Sequence, residues 1–296
     1  MDRVDALEAD LDRLGWRFLA LEEPGFPARL AATSDPPLGV FTRGCAAEER
    51  AVALVGARHA TAYGREVAEY LGRELAAAGV TVVSGMARGV DAAAHRGALA
   101  GGGRTVAVWG AGPDRLYPAE HEALADEIVV RGCLLTEYPP GCPPLPHHFP
   151  ERNRLIAGLS EAVVVVEAGE RSGALITARL ALEEGRDVMA VPGSVFSRLS
   201  VGPNGLLRAG AAPVLTADDV LSALGLPPRP PGAAEEEPPL LKLIPPGEAV
   251  TVDRLAAESR QPIAQILEAL LALELAGRVL RQADGRYRRS HAGPTI

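Results

Sequence analysis

Lysine is nearly missing from this chain of 296 residues, in which Lys242 is the single example. A Walker A motif needs a lysine beside its glycines and is therefore excluded. A Schiff base could form only at Lys242, which stands far along the chain from every glycine-rich turn. Arginine supplies almost all of the positive charge, and its planar fork suits bidentate contacts to phosphate.

Other absences narrow the class of protein further. No apolar run approaches the roughly 20 residues that span a bilayer, and the first residues lack the pattern of a secretory signal. The three cysteines have neither metal-binding spacing nor an even count, which favours a reducing compartment. We therefore expect a cytoplasmic protein without membrane contact. The net charge of −8 argues mildly against nucleic acid as a partner, although a net value hides local basic patches.

From residue 51 the sequence repeats strand, glycine-rich turn and helix. Near-continuously apolar runs, typical of strands buried on both faces of a parallel sheet, predict strands at 51–55, 80–83, 105–109, either 128–130 or 134–136, 162–166 and 187–191. Between them the sequence predicts helices at 63–78, 90–100, 119–126 and 173–184. This alternation predicts an α/β fold with an extended Rossmann-like, doubly wound and mostly parallel sheet.

The domain organisation follows from changes in pattern. Residues 1–50 read as a short helical and irregular region, and 51–225 as the Rossmann-like domain. Residues 226–239 are dense in proline and glutamate without apolar periodicity, which predicts an extended linker. Residues 240–290 show helix, helix and β-hairpin, the pattern of a small C-terminal winged-helix domain.

The winged-helix region carries its positive charge on the hairpin. Its second helix contains glutamates and no basic residue, whereas a helix that reads the major groove normally carries Arg, Lys or Asn. Arg281, Arg286 and Arg288 are therefore candidates for phosphate contacts to duplex DNA through the wing. A protein-contact or spacer role for this region is an equal alternative.

Four glycine-containing turns, at 56–58, 84–89, 110–112 and 167–173, follow predicted strands. Ligands bind at the carboxyl ends of strands in open α/β sheets, where glycines let the backbone approach a ligand closely. Three of the turns carry an arginine, so a phosphate-binding rim is favoured over a purely steric need for glycine. Because G-x-G-x-x-G is absent after the first strand, NAD and FAD are disfavoured and no cofactor is expected.

The segment FPERNRLIAGLS at 149–160 places Arg152 and Arg154 on either side of Asn153, just after Phe149. A helical pattern begins immediately behind the arginines, which predicts an anion site at a helix N-terminus. The alternative is a surface loop whose arginines pair with Glu151 or Glu161.

Candidates for catalysis are few. Asp91 and His95 lie four apart on one predicted helix and could form an acid–base pair. The favoured alternative is that Asp91 caps the helix while His95 packs locally. Glu167 at a strand end is a possible general base, or a partner for an arginine of the 149–160 segment. The sequence thus predicts a binding rim without a convincing reactive group, and no enzyme.

His147 and His148 directly precede Phe149 in a proline-rich stretch. Without a third ligand at a sensible spacing, these two histidines do not predict a metal site.

Six segments together carry a resemblance to a known family: VALVGARHATAYG (52–64), VVSGMARGVDAAAH (82–95), AVWGAGPDRLYP (107–118), FPERNRLIAGLS (149–160), VVVVEAGERSGALITARLALEEGRDVMAVPG (163–193) and GPNGLLRAGA (202–211). Over roughly residues 26–224 the chain resembles the DprA, or Smf, family of DNA-processing proteins.

The resemblance implies a non-enzymatic protein that binds single-stranded DNA. It implies protection of incoming DNA during natural transformation and loading of RecA recombinase onto strands coated by single-strand binding protein. It also implies a homodimer joined through the Rossmann-like domain. Carried over by motif, the DNA-binding residues would be Gly56, Arg58, Ser84, Gly85, Arg88, Gly89, Phe149, Arg152, Asn153, Arg154, Ser172 and Gly173.

Two departures from the family pattern stand out. Family members commonly have a lysine shortly before the phenylalanine, where this chain has His147 and His148. The N-terminal region is also short for the complete helical domain of many members. A nucleotide N-glycoside hydrolase that uses Glu167 is the alternative function, and a protein-binding scaffold is a third.

Overall fold

The computed structural model describes residues 3–45, 50–228, 238–245, 247–275, 278–282 and 284–289. The chain divides into two compact units, residues 1–228 and 229–296. Each unit contains a hydrophobic core of its own. Every helix of the described residues is too short or too polar to cross a lipid bilayer.

The first unit is built on a sheet of nine strands. In chain order these are β1 (Arg17–Ala20), β2 (Gly39–Gly44), β3 (Ala51–Val55), β4 (Thr81–Ser84), β5 (Thr105–Val108), β6 (Cys133–Thr136), β7 (Ala162–Val165), β8 (Asp187–Ala190) and β9 (Ala212–Pro213). Their spatial order is β1-β2-β6-β5-β4-β3-β7-β8-β9. In this spatial order, every pair of neighbouring strands from β6 through β3 to β9 is parallel. The strands β1 and β2 are antiparallel to each other, and β2 is antiparallel to β6.

Helices cover both faces of this sheet. They are α1 (Arg3–Leu14), α2 (Ala28–Ala31), α3 (Ala62–Ala77), α4 (Val90–Ala100), α5 (Glu122–Arg131), α6 (His148–Leu159), α7 (Gly173–Glu183), α8 (Val201–Arg208) and α9 (Ala217–Ala223), with a short 3₁₀ turn at Ala119–His121. Alternate residues of a strand point to opposite faces. Within β3, Ala51, Ala53 and Val55 therefore join the core beneath α6 and α7, while Val52 and Leu54 join the core beneath α3 and α4.

The doubly wound α/β fold is thereby confirmed. Of the two alternatives for the fourth predicted strand, 134–136 forms β6, whereas 128–130 lies within α5. The sheet also begins earlier than the predicted boundary at residue 51. The prolines that made the N-terminal region look irregular lie between β1 and β2, so both strands remain free to pair.

The second unit consists of short helices and a small sheet. Its elements are α10 (Pro239–Lys242), β10 (Ala249–Val250), α11 (Val252–Ser259), α12 (Ile263–Leu275), β11 (Val279–Arg281) and β12 (Tyr287–Arg289), with sheet order β10-β12-β11. Its core joins side chains from all of these elements, among them Leu255, Ile266, Val279 and Tyr287. This is the helix, helix and hairpin arrangement expected of a winged helix. Residues 229–237 of the predicted linker lie outside the described residues.

Candidate nucleic-acid interface

The sheet has a topological switch point between β3 and β7. From β3 the chain moves outward through β4 and β5 to β6, and then returns to the other side of β3 to form β7. Loops at the carboxyl ends of β3 and β7 consequently leave in opposite directions and open a crevice between them. A cavity of about 230 Å³ lies at this point.

The cavity wall combines the turns after β3 and β4, one face of α6 and the start of α7. Its lining residues are Val55, Gly56, Arg58, Ala87, Asp91, Phe149, Pro150, Arg152, Asn153, Ile156, Ser172, Gly173, Ala174 and Thr177. Segments that are far apart in sequence therefore meet at one edge of the sheet, and three of the four predicted glycine-containing turns line the cavity, while the turn 110–112 does not.

Phe149 forms the aromatic part of the wall. The Cζ atom of Arg58 lies 4.9 Å from its ring centroid, a cation–π distance. The ring of Tyr117 meets Phe149 with centroids 5.3 Å apart and a tilt of 52°. An arginine and two aromatic rings thus form one stacked surface at the mouth of the cavity.

Arg58 itself is exposed. Among the described residues, the structure records no carboxylate or carbonyl bonded to its guanidinium group. The charge of Arg58 is therefore available to an anion in the crevice.

Arg152 lies beneath this surface and is only 4% exposed. Its Nη1 donates to the carbonyl oxygen of Gly85 at 2.6 Å and to that of Val108. Burial lowers the pKa of Arg152 to about 10, opposed by the nearby Asp91 carboxylate, so the guanidinium stays charged at neutral pH. In the described part of the chain, its buried Nε has no hydrogen-bond partner.

Asp91 serves the loop after β4. Its carboxylate accepts hydrogen bonds from the backbone N–H groups of Gly85 at 3.1 Å and Ala87 at 3.3 Å. Burial raises the pKa of Asp91, an effect that the charge of Arg152 opposes. The carboxylate thus holds the loop against α4, the helix on which it sits.

His95 is not the partner of Asp91. Its Nδ1 lies 2.6 Å from the Thr105 hydroxyl, which itself donates to the carbonyl of Val82, so Nδ1 carries the proton. Burial lowers the pKa of His95 to about 3, which leaves the ring neutral. The structure therefore contradicts the acid–base pair and confirms the local packing alternative for this histidine.

The residues of the loop 84–89 have different roles in the structure. Ser84 donates its hydroxyl to the Leu54 carbonyl at 2.6 Å, so this predicted DNA contact is used inside the sheet instead. A Cβ on Gly85 would lie 2.5 Å from the Arg152 guanidinium, so the close approach of Arg152 requires glycine here. Arg88 pairs with Glu120 and lines a smaller adjoining cavity with Tyr117.

Gly89 closes this loop with φ of +78°, and a Cβ would lie 2.2 Å from the carbonyl oxygen of Ala57. Gly56 is similarly confined, because a Cβ there would meet the side chain of Val90 at 2.5 Å. Both predicted site glycines therefore bring two loops of the crevice together. Only Gly56 also lines the cavity.

Glu167 is buried and faces away from the cavity. Its carboxylate accepts from the backbone N–H of Thr61 at 2.8 Å and from the Thr61 hydroxyl at 2.6 Å. Since Thr61 caps α3, Glu167 fixes the start of that helix. Glu167 is thus neither a partner of Arg152 or Arg154 nor placed as a general base, which removes the geometric basis of the glycoside hydrolase alternative.

The helix α6 begins earlier than its sequence pattern predicted. Its first residue is His148, whose N–H donates to Leu145, while Pro150 has no N–H. Both arginines lie in the body of the helix, and only Arg152 reaches the crevice, through its side chain. The predicted helix start behind the arginines, with an anion site at that N-terminus, is therefore wrong.

Arg154 points away from the cavity. Its Nη2 lies 2.6 Å from both carboxylate oxygens of Glu137, and its Nη1 donates to the carbonyl of Asp35 at 2.9 Å. Residues at i, i+3, i+4 and i+7 share a helix face, which groups Phe149, Arg152, Asn153 and Ile156 and leaves Arg154 outside. Neither Glu151 nor Glu161 pairs with Arg154, because Glu151 binds Tyr138 and Glu161 binds Arg29 and Arg50.

The start of α7 completes the crevice. Ser172 caps this helix by accepting from the N–H of Ala174 at 3.3 Å, and nothing lies within 4 Å of a Cβ position on Gly173. Asn153 ties α6 to α7 by donating to the carbonyl of Gly173 at 3.2 Å. These three predicted residues are brought together at the cavity wall.

Tyr117 is a functional candidate that the sequence interpretation missed. It packs on Phe149 and lines the smaller cavity with Arg58 and Arg88. The signal was present, because Tyr117 follows the glycine turn after β5, in a chain with only 4% aromatic residues.

The three wing arginines have different surroundings in the second unit. Arg281 is exposed at the end of β11. Arg286 pairs with Asp284 at 2.7 Å, and Arg288 lies on β12 opposite Leu280. The wing of this unit therefore presents positive charge that is partly offset by Asp284.

Comparisons with known proteins agree with this architecture. The family model of DNA recombination-mediator protein A matches residues 17–225, and that of the DprA winged helix domain matches residues 209–285. A DNA processing protein DprA of Mycobacterium tuberculosis is 45% identical over 295 residues, which cover 94% of this chain and 75% of that protein.

Two solved structures are similar to this chain. The X-ray structure of DprA from Streptococcus pneumoniae has a TM-score of 0.67 and 40% identity, covering 73% of this chain and 77% of the other. DprA from Helicobacter pylori, whose structure was described for its single-stranded DNA binding mode, has a TM-score of 0.62 and 28% identity, with coverages of 71% and 95%. Since the family models together span more than half of the sequence, the chain belongs to the DprA (Smf) family of DNA recombination-mediator proteins.

Proposed function

We propose that this protein binds single-stranded DNA in the crevice between β3 and β7. The main evidence is that the guanidinium of Arg58 stacks on the ring of Phe149, above the buried guanidinium of Arg152. Unspecific binding of single strands combines cationic side chains that follow the phosphates with aromatic rings on which bases stack. The crevice contains both in adjacent positions.

The geometry favours a single strand over a duplex. A base in a duplex is already stacked on both sides and cannot reach an aromatic ring within a cavity wall. A single strand offers exposed base faces and a flexible backbone. The H. pylori relative described for single-stranded DNA binding supports the same preference.

The phosphate contacts are assigned to Arg58 and Arg152, with the hydroxyl of Ser172 and the backbone around Gly56 and Gly173 beside them. Arg88 extends the track along the smaller cavity. Arg154 is left out of the direct contacts because Glu137 and Asp35 occupy its guanidinium.

The test compares Arg58→Ala with Arg154→Ala. A fluorescent thymidine oligonucleotide is titrated with each protein at several salt concentrations, alongside a matched duplex. Each phosphate contact to a single strand contributes about −0.7 to the slope of log affinity against log salt. We expect Arg58→Ala to weaken binding and reduce the slope by about 0.7, whereas Arg154→Ala leaves the slope unchanged. Equal binding by the wild type and Arg58→Ala would reject the crevice as the site.

The finer roles rest on family membership alone. We propose that the protein protects incoming DNA in natural transformation and loads RecA onto strands coated by single-strand binding protein, acting as a homodimer. A RecA filament assembly assay on coated strands, with and without the protein, tests the loading role. Assembly that is no faster with the protein would reject it.

We further propose that the crevice holds DNA without cleaving it, and that duplex DNA binds at the wing through Arg281 and Arg288. An end-labelled strand should remain intact after long incubation with the protein.

The wing is tested separately. Titration with duplex DNA should show a lower affinity for the Arg281→Ala variant than for the wild type, and unchanged affinity would favour a spacer or protein-contact role for that unit.

A further inference from the structure

A cluster of metal-ligating side chains lies at the start of α6, outside the cavity. It consists of His147, His148 and Glu151, whose ligand atoms all lie within 4.8 Å of one another. His148 is buried, while His147 and Glu151 are exposed to solvent. The sequence alone suggested no third ligand, but one helical turn brings the carboxylate of Glu151 beside the two imidazoles.

A fourth donor stands next to this histidine cluster. The Sγ atom of Cys142 lies 4.0 Å from Nδ1 of His148. Two ligand atoms of a tetrahedral zinc ion, at bond lengths of about 2.0–2.3 Å, are separated by about 3.3–3.6 Å. The separation of this one pair therefore exceeds that of two zinc ligands by only about half an ångström, but Cys142 lies outside the group of atoms within 4.8 Å of one another and must swing toward His147 and Glu151 to join them.

Tyr138 holds the ligands in place. Its ring stacks on the His148 imidazole with centroids 4.0 Å apart, and its hydroxyl donates to Oε2 of Glu151 at 3.0 Å. Hydrogen bonds of this kind to ligating groups orient metal sites and tune their affinity. One side chain thus braces two of the donors before any ion arrives.

From this geometry we infer that Cys142, His147, His148 and Glu151 form a binding site for a single zinc ion. A set of one thiolate, two imidazoles and one carboxylate suits zinc, whereas magnesium and calcium prefer oxygen ligands alone. The exposed sides of His147 and Glu151 provide the entry path. The site is independent of the proposed DNA binding, although it adjoins Phe149 in the sequence.

The test uses the full chain without a histidine tag, stripped of metal by a chelator and titrated with zinc chloride in a calorimeter. One zinc ion should bind per chain. Cobalt(II) substitution should give the absorption of a tetrahedral site together with a thiolate-to-cobalt charge-transfer band. That band should vanish in Cys142→Ser and persist in the matched variant Cys45→Ser.

Substitutions at the other donors complete the test. His147→Ala and Glu151→Gln alter exposed side chains and should each lower zinc affinity at least tenfold, while the matched variant His59→Ala should not. Tyr138→Phe keeps the ring stack and removes the hydroxyl, with an expected loss of about tenfold. Circular dichroism checks that each variant is folded. Absence of one-to-one binding, or binding of equal strength in the His147→Ala and Glu151→Gln proteins, would overturn the site.

Discussion

Arg152 both stabilises the fold and lines the crevice. Its guanidinium bridges the carbonyl groups of Gly85 and Val108, at the ends of two neighbouring strands. Removing it would leave two buried carbonyls without their donor, and lost hydrogen bonds of this kind cost about 1–3 kcal/mol each. We expect Arg152→Ala to lower the free energy of unfolding by about 2–4 kcal/mol, measured by urea denaturation.

The control for that measurement is Arg58→Ala. Arg58 is exposed and its recorded contact is with the Phe149 ring, so its loss should change stability by less than about 0.5 kcal/mol. If both variants are equally stable, the bridging role of Arg152 is wrong. If both are equally destabilised, Arg58 supports the fold in a way that its exposure does not suggest.

Phe149 should matter for binding through the face of its ring. Base–aromatic stacking contributes about 1–3 kcal/mol, so Phe149→Ala should weaken single-strand affinity by about 5- to 150-fold. Phe149→Trp keeps an aromatic face and should bind within about threefold of the wild type. Affinity measured by fluorescence anisotropy distinguishes the two, and equal loss in both variants would indicate a packing role for this ring.

The neutral state of His95 predicts a dependence of stability on pH. Burial lowers the pKa of His95 in the folded protein to about 3, whereas its pKa in the unfolded chain is the ordinary value near 6.5. Between these two pH values, the unfolded chain therefore binds a proton at His95 that the folded protein does not. Stability therefore falls as the pH drops through this window. Between pH 7.5 and 5.5 the contribution of His95 amounts to a loss of about 1.4 kcal/mol.

Urea titrations at these two pH values, on the wild type and His95→Gln, measure this contribution. The variant lacks the titrating group and should lose about 1.4 kcal/mol less than the wild type over the same interval. An identical loss in the two proteins would mean that His95 has the same pKa in the folded and unfolded chain.

At the level of single elements, α6 shows what the sequence could and could not predict. Of the residues singled out in the 149–160 motif, Phe149, Arg152 and Asn153 line the cavity. Arg154 was misplaced because the helix was expected to begin behind the arginines. Proline is tolerated in the first turn of a helix, and with the start set at His148 the helical period itself separates Arg154 from the other three.

The loop between β4 and α4 contains a glycine that two constraints require. Gly89 combines φ of +78° with a Cβ position 2.2 Å from the Ala57 carbonyl oxygen, whereas Gly79 has φ of +81° and nothing within 4 Å. Gly79→Ala should therefore cost about 1–2 kcal/mol, from the backbone alone. Gly89→Ala adds a clash with backbone and should exceed it by at least about 2 kcal/mol.

Denaturant unfolding of these two variants compares a methyl group in open space with one that meets backbone at a similar φ, and the ψ of −122° at Gly89 adds to the cost there. Equal costs would show that the loop moves freely to accommodate Gly89→Ala. The contact of the two crevice loops would then be less constrained than the distance indicates.

For the whole molecule, the apolar strands and the glycine turns were enough to predict the α/β fold and the edge of the sheet at which the candidate cavity lies. The strands β1 and β2 escaped prediction because they lie among prolines and pair in the opposite direction to the rest of the sheet. Glu167 was misassigned for a different reason. Its partner, Thr61, is distant in sequence and becomes a neighbour only after folding.

Because the core of the second unit is separate from the cores of the first, we expect the first unit to function by itself. All residues of the crevice and of the nine-stranded sheet lie within residues 1–228. A chain ending at residue 228 should fold, and should keep its affinity for single-stranded DNA within about threefold of the full chain by the same titration. A loss of tenfold or more would show that the second unit contributes to the site.

The last strand of the large sheet limits how this protein can self-associate. β9 is only two residues long, and its Pro213 has no amide hydrogen to donate. A row of unpaired donors at a sheet edge invites another chain to add a strand, the first step in many fibrils. This end of the sheet offers almost no such template, so a second copy that meets it must be recognised by side chains and not by growth of the sheet from one molecule into the next.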